Sequence, residues 1–378
     1  MSHLLCYNAV GVIYMQNYQN YYYQNTTPPP YPVYPPVKPP LSPKQQQRRT
    51  LRRTSNGLGF FVLAYFLVMQ QLALLLCTVF SDLYTSSGTS HKIFWFLLEI
   101  VVSTGSSFLA VIVYRSIVKR RYSDNFSQTR LKADMLVPMV MVGMGAAMVA
   151  NQLAALFDQN ISLFELKNTV TMTSETQSVP EIILYIISTA LVPALAEELA
   201  FRGVFMNIMR KYGDSFAIIT SSVLFGAMHG NTTQIIFAFT LGLIFAYMDC
   251  KANSIIPSII IHFANNFYAV TTDIIGNNLG VDDTTVAVIR IIIILAFSLL
   301  ALLSYIYLAN RDKNFFRLSE NDESEYAVKS LMTLKEKFIA CFTTAGMIVS
   351  LTVFIGEMLL NLIPQESITQ FVRSITGG

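Results

Sequence analysis

Leu191-Val192-Pro193-Ala194-Leu195-Ala196-Glu197-Glu198-Leu199-Ala200-Phe201-Arg202 places two carboxylates and a guanidinium inside an otherwise apolar run. The run extends from Ile182 to Met209, long enough for the roughly 20 residues that a helix needs to cross a bilayer. A charge near the bilayer centre costs about 2.5–3.5 kcal/mol on insertion scales, so such residues pair, face a protein interior or do chemistry. Glu198 and Arg202 lie four apart on one helix face and can offset each other's desolvation. Glu197, about 100° around the helix, has no local partner. Snorkelling from a helix end would account for Arg202, but a short carboxylate snorkels poorly, so it explains the double glutamate less well.

The rest of the chain agrees with a membrane setting. Of 378 residues, 53% are hydrophobic and 13% charged, about half the charge of a soluble domain. The 26 Phe and 19 Tyr suit lipid-facing and interfacial positions. A net charge of +3 gives no ground for nucleic-acid binding. Cys6, Cys77, Cys250 and Cys341 lack the spacing of a disulfide framework or a cysteine zinc site. The first 14 residues lack the basic start and cleavage site of a signal peptide.

The expected fold is therefore all-α, a polytopic membrane bundle of about eight or nine transmembrane helices. The spans are expected near Leu58–Phe80, Ile93–Tyr114, Leu136–Phe157, Ile182–Met209, Phe216–His229, Ile235–Met248, Ile255–Ile275, Thr284–Leu308 and Phe338–Ile363. Residues 1–55 are expected to form a disordered Tyr-, Pro- and Gln-rich cytoplasmic tail of polyproline II character, a potential ligand for a proline-recognising partner. The tail ends in the basic cluster Arg48, Arg49, Arg52 and Arg53. N-terminal helices over 56–172, a core over 182–272 and C-terminal helices over 283–363, with a polar linker near 310–336, complete the division.

Loop charge orients the bundle. Arg115, Lys119, Arg120, Arg121, Arg130 and Lys132 make one loop basic, and Arg210 and Lys211 another, whereas 158–181 is acidic and 276–283 carries Asp282 and Asp283. By the positive-inside rule the N-terminus is cytoplasmic and the C-terminus lies on the other side. A multi-pass protein of the plasma membrane is expected if the chain is prokaryotic.

Two of the four histidines fall in apolar helices, His229 in Phe225-Gly226-Ala227-Met228-His229 and His262 in His262-Phe263-Ala264-Asn265-Asn266. A lone His in such a helix is more often structural than catalytic, but two beside a buried double glutamate shift that balance. His262 and Asn266 share one helix face and can aim donors at one point. Glu99, Glu357 and Arg290 also lie within spans and read as interhelical contacts. A carboxylate and an imidazole can deprotonate a water, while a second imidazole and an amide can supply oxyanion donors. No HExxH helix or GxSxG elbow is present. No Asp pair lies within a span, with Asp214 and Asp249 expected at helix ends.

Glu197-Glu198-xxx-Arg202, Phe225-xxx-His229 and His262-xxx-Asn266 together resemble the three ordered motifs of the CAAX protease and bacteriocin-processing (CPBP, or Abi) family of membrane peptidases. The resemblance covers about residues 182–270. It implies a helical core with a polar cavity, an endopeptidase acting on membrane-presented peptides, and in one branch of the family on prenylated C-terminal peptides. On the matching positions, Glu197 and His229 would activate water, His262 and Asn266 would stabilise the oxyanion, and Glu198 and Arg202 would support the site. No cofactor is favoured. Zinc, if used, would sit on Glu197, His229 and His262. The alternatives are a non-catalytic scaffold or bacteriocin-immunity protein and a proton-coupled transporter. Continuous helices would put Glu197 some 20 Å from Arg210, His229 about 22 Å from Asp214 and His262 about 12 Å from Ser254. Tilted or broken helices are required to bring them to one depth.

Overall fold

The structure is a computed structural model that describes residues 40–118, 132–162, 178–278, 280–317 and 330–362. Most of the tail, most of the basic loop with Lys119, Arg120, Arg121 and Arg130, the acidic loop over 163–177 and the centre of the 310–336 linker lie outside the described residues. The chain divides into residues 1–42 and a compact unit, Pro43–Gly378. Among the described residues all regular structure is helical.

The unit contains α1 (Pro43–Val79), α2 (Thr89–Val118), α3 (Ala133–Ser162), a composite α4 (Val179–Tyr212), α5 (Asp214–Ala227) and α6 (Thr232–Ala252). These are followed by α7 (Ile256–Asn278), α8 (Asp283–Arg311), α9 (Leu334–Phe342) and α10 (Ala345–Leu362). α1 begins at Pro43, whose missing N–H costs nothing in a first turn. Arg48, Arg49, Arg52 and Arg53 therefore stand on a helix, although the unstructured tail was expected to run to residue 55. At 37 residues α1 is about 55 Å long, well beyond a hydrocarbon core of about 30 Å, so its basic turns overhang the apolar layer.

Among the described residues, seven helices, α1, α2, α3, α4, α6, α8 and α10, are long and apolar enough to cross a membrane. Two of the expected spans fall outside that group for a physical reason. α5 has 14 residues, about 21 Å, and falls short of a bilayer. α7 has 23 residues but carries His262, Asn265, Asn266, Asp273 and Asn277, so it is too polar to count as an apolar span. The last expected span divides at Thr343 and Thr344 into α9 and α10.

α6 stands between two apolar cores. One joins α1, the C-terminal half of α4, α5 and α10 through Leu58, Tyr65, Phe201, Phe216, Phe225 and Phe354. The other joins α3, α6, α7 and α8 through Met139, Met144, Phe245, Ile261 and Leu308. α1 and α10 cross at Gly59 and Gly346, where a Cβ on either residue would strike the backbone of the other helix. Ser350 Oγ donates to the Gly59 carbonyl at 2.8 Å, and the Gly346 N–H to Asn56 Oδ1 at 2.8 Å. Close backbone approach through small residues is how helices gain packing energy in lipid. α8 instead exposes Ile291, Ile292, Leu295, Leu299, Leu302 and Leu303, the surface of a helix that faces lipid.

The two ends of the bundle differ in charge. One end gathers Arg52 on Thr343 (2.6 Å), Arg210 on Asp214 (2.9 Å), Lys251 on the Arg317 carbonyl (3.0 Å) and Arg311 on Asp134 (2.8 Å). The other holds Thr89 on Glu181 (2.8 Å), Thr233 on Asp158 (2.7 Å) and Tyr185 on Asp273 (3.0 Å). α1 starts at the basic end and α10 finishes at the acidic one, where Asn361 donates to the Gly230 carbonyl at 2.9 Å.

Candidate active site

The stretch with the double glutamate is not one regular helix. Two widened π-helical segments, Ile187–Leu191 and Leu199–Met206, flank the short α-helical piece Val192–Glu198. Such widenings recur at functional sites because they free main-chain groups and re-aim side chains. Pro193 accounts for one of them. It has no N–H to offer the carbonyl four residues back, that of Thr189. Asn266 Nδ2 on α7 donates to that carbonyl at 3.2 Å.

Glu198 is fully buried and its Oε1 accepts from Arg202 Nη1 at 3.0 Å. The guanidinium is also fully buried, donates to the Gly242 carbonyl of α6 at 3.3 Å, and lies 4.3 Å over the Phe225 ring and 5.3 Å from that of Phe245. The i,i+4 pairing read from the sequence is therefore present, inside an aromatic cage that excludes water. The same Glu198 oxygen lies 2.9 Å from His262 Nδ1. A carboxylate paired with arginine can only accept, so Nδ1 carries the hydrogen and Nε2 faces the other way.

In that direction stands Glu197, with Oε2 4.0 Å from His262 Nε2. Its side chain keeps 17% of its exposure and makes no hydrogen bond among the described residues. The two glutamates thus flank one imidazole: Glu198 is tied down by Arg202, and Glu197 is left with open acceptor sites. His262 stacks on Phe245 with ring centroids 5.3 Å apart, which fixes the plane of the ring.

His229 follows the end of α5, in the turn before α6. Its Nδ1 donates to the Phe225 carbonyl at 2.7 Å, which leaves Nε2 as the acceptor in the neutral ring. Both imidazoles pack around Phe225, at 5.0 Å for His229 and 6.2 Å for His262. His229 itself makes no ion pair with Glu197 or Glu198 within 4.0 Å among the described residues, so any joint action of His229 and Glu197 requires an intervening molecule. Gly230 holds the turn at φ +60°, and a Cβ there would meet Glu357 Cγ at 2.9 Å. α10 therefore braces this turn through Glu357 and Asn361.

Asn266 uses one amide hydrogen on Thr189 and retains a second. Its neighbour Asn265 is buried and accepts from Asn151 Nδ2 at 2.9 Å, tying α7 to α3. Thr189 Oγ1 in turn donates to Glu99 Oε2 on α2 at 3.5 Å, so Glu99 touches the same turn that Asn266 reads. Asp249 lies three residues from the end of α6 and is buried, with Oδ1 accepting the Ser258 N–H at 2.9 Å and capping the first turn of α7. The role of Thr189 and the brace from α10 were not visible as motifs, although Pro193 inside an apolar run was a signal for the first.

Of the residues suggested for zinc, both histidines bond protein oxygens through Nδ1, which leaves Nε2 of each ring available, and that by itself argues neither for nor against a metal. Among the described residues, no group of three or more His, Cys, Asp or Glu is placed to hold a metal ion.

Comparison with known proteins finds no match among curated proteins and none among solved structures. The Rce1-like family model, described as type II CAAX prenyl endopeptidase Rce1-like, matches residues 179–268, consistent with the CPBP (Abi) family. That segment holds the six motif residues together with Pro193, Thr189 and Asp249, and it is similar to the Rce1-like family over that length.

Proposed function

We propose that the protein is an intramembrane endopeptidase that hydrolyses peptide bonds of membrane-presented, CAAX-type substrates with a water activated by Glu197. The observation that carries this reading is the clamped imidazole. His262 lies 2.9 Å from the Arg202-paired Glu198 and 4.0 Å from Glu197, which makes no hydrogen bond among the described residues. Glu197 Oε2 accepts a proton from the water as its oxygen attacks the scissile carbonyl, with His229 Nε2 accepting the water's other hydrogen bond. His262, oriented by Glu198, faces the developing oxyanion with its Nε2 edge, and Asn266 offers its second amide hydrogen. The proton held by Glu197 passes to the amine as the C–N bond breaks, and the proton left on the new carboxyl group follows it, giving one carboxylate and one ammonium for each water consumed. No step needs a metal.

The charge difference between the two ends supports a cytoplasmic basic end, with the N-terminus of α1 on that side. A scaffold role would need no carboxylate with open acceptor sites beside the clamped ring.

Full-length protein reconstituted in vesicles and given a membrane-anchored fluorogenic peptide, prenylated or not, tests the reading. Glu197→Gln is expected to lower kcat by about 10²–10⁴-fold, the usual contribution of a general base, with an unchanged melting profile. Activity within about twofold of wild type would sink the assignment. Turnover that persists after exhaustive chelation is the expected result, and its loss with recovery on added zinc would overturn the metal-free route.

A further inference from the structure

Arg290 takes no part in this chemistry. It sits within the lipid-facing helix α8 and makes no hydrogen bond or ion pair among the described residues. It lines a cavity of about 510 Å³ at the acidic end of the bundle, between α3, α7 and α8, together with Gln152, Thr272, Asp273, Asp283 and Ile294. Asp273 is already engaged, by Tyr185 at 3.0 Å and Asn277 at 2.6 Å. Asp283 is not. It lies seven residues before Arg290 on the same helix face, too far away to pair with it directly.

Depth identifies the surroundings. Arg311 is pinned to Asp134 at 2.8 Å at the basic end. The helix rise from Arg311 back to Arg290 is about 31 Å, close to the hydrocarbon thickness of about 30 Å. Arg290 therefore stands at the edge of the apolar layer in the opposite leaflet, and the cavity lies at headgroup level. A guanidinium in that position, near the Tyr268 hydroxyl but with no carboxylate paired to it among the described residues, matches a phosphate diester. A free carboxylate two turns further toward water matches an ammonium, and the Ile291 and Ile294 wall receives the start of an acyl chain.

We propose that this cavity binds the headgroup of a zwitterionic aminophospholipid, with the phosphate on Arg290 and the primary ammonium on Asp283. The site is separate from the Glu197 chemistry, and its test does not depend on turnover.

The full-length protein in detergent is titrated with dioleoyl phosphatidylethanolamine, phosphatidylcholine or phosphatidylglycerol, or with chain-free glycerophosphoethanolamine, and bound lipid is counted by native mass spectrometry. Phosphatidylethanolamine is expected to bind at least tenfold tighter than phosphatidylcholine, whose quaternary ammonium has no N–H to donate. The chain-free headgroup is expected to bind at least tenfold more weakly than the lipid. Arg290→Gln is expected to lower affinity for every phospholipid by tenfold or more, and Arg290→Lys to keep part of it. Asp283→Asn is expected to erase the preference for ethanolamine over choline. Should Arg290→Gln fail to fold, the Asp283→Asn selectivity decides. Equal binding of ethanolamine and choline lipids to the wild type, or unchanged binding in folded Arg290→Gln, overturns the proposal.

Discussion

Replacing Arg202 by Met isolates the most expensive interaction in the bundle. The guanidinium and Glu198 are both fully buried and 3.0 Å apart, and removing one member of such a pair costs about 3–5 kcal/mol because the other is left as an uncompensated charge. Met fills much of the same volume and keeps contact with Phe225 and Phe245, so little of the loss is a cavity. The lost bond to the Gly242 carbonyl adds roughly 1 kcal/mol. The total, about 4–6 kcal/mol, is a large share of the 5–15 kcal/mol that holds a typical domain together. The double variant Glu198→Gln with Arg202→Met removes the stranded charge, and its Gln Oε1 can still accept from His262 Nδ1. It is expected to recover most of the stability, leaving a deficit of about 1–2 kcal/mol. Denaturant unfolding in mixed micelles, run on both singles and the double, measures this coupling. If Arg202→Met alone costs under about 1 kcal/mol, the pair is solvated in the membrane and the reasoning about a dry aromatic cage fails. The double variant is expected to stay catalytically poor, because His262 loses the ionised carboxylate that holds and orients its ring.

Pro193→Ala restores an N–H opposite the Thr189 carbonyl and makes it compete with Asn266. Turnover is expected to fall at least tenfold with no loss of thermal stability, and unchanged kcat/KM would show that the freed carbonyl does not position Asn266. Gly346→Ala pushes a methyl into the Asn56 backbone and should destabilise the α1–α10 crossing by about 1–3 kcal/mol, while activity per folded molecule is kept. Outside the membrane, Glu336 caps α9, and Lys44 at 2.8 Å, followed by the Thr333 N–H, holds its carboxyl below the ordinary 4.5. A depressed acid stabilises the fold above its unfolded value and loses that contribution as pH falls through the folded one. Hydrogen exchange of the α9 amides is therefore expected to speed up below about pH 4.5, and Lys44→Ala should move the onset upward. A flat exchange profile would count against the cap.

Much of the candidate site was legible because apolar helices make charge conspicuous. Glu197, Glu198, Arg202, His229, His262 and Asn266 stand out against their neighbours, and the pairing of Glu198 with Arg202 followed from helical spacing alone. The depth conflict between Glu197, His229 and His262 was also legible, and the widened turns on both sides of Glu197 are the break it demanded. Sequence spacing could not say that His262 reaches both glutamates, since 64 residues separate it from Glu198. Nor could it say that α10, far outside the family-matched segment, braces the His229 turn. Those are long-range contacts, and one sequence carries no record of them. Two expected spans are not marked out by apolarity, for a related reason. Apolarity marks helices that touch lipid, and α5 is buried among other helices while α7 carries the polar side chains of the site.

That last property bears on how the molecule is made. A helix of 14 residues cannot span a bilayer alone, and one that carries His, Asn and Asp partitions poorly as it leaves the ribosome. α5 must enter with α6 as a hairpin, and α7 must be retained by α3 and α6 until α8 emerges to anchor it. The polar side chains of the candidate site thus make their own helices poor independent passengers. A nascent chain halted before α8 is expected to leave α7 accessible to aqueous probes, so membrane insertion itself delays assembly of a competent site until most of the protein has been synthesised.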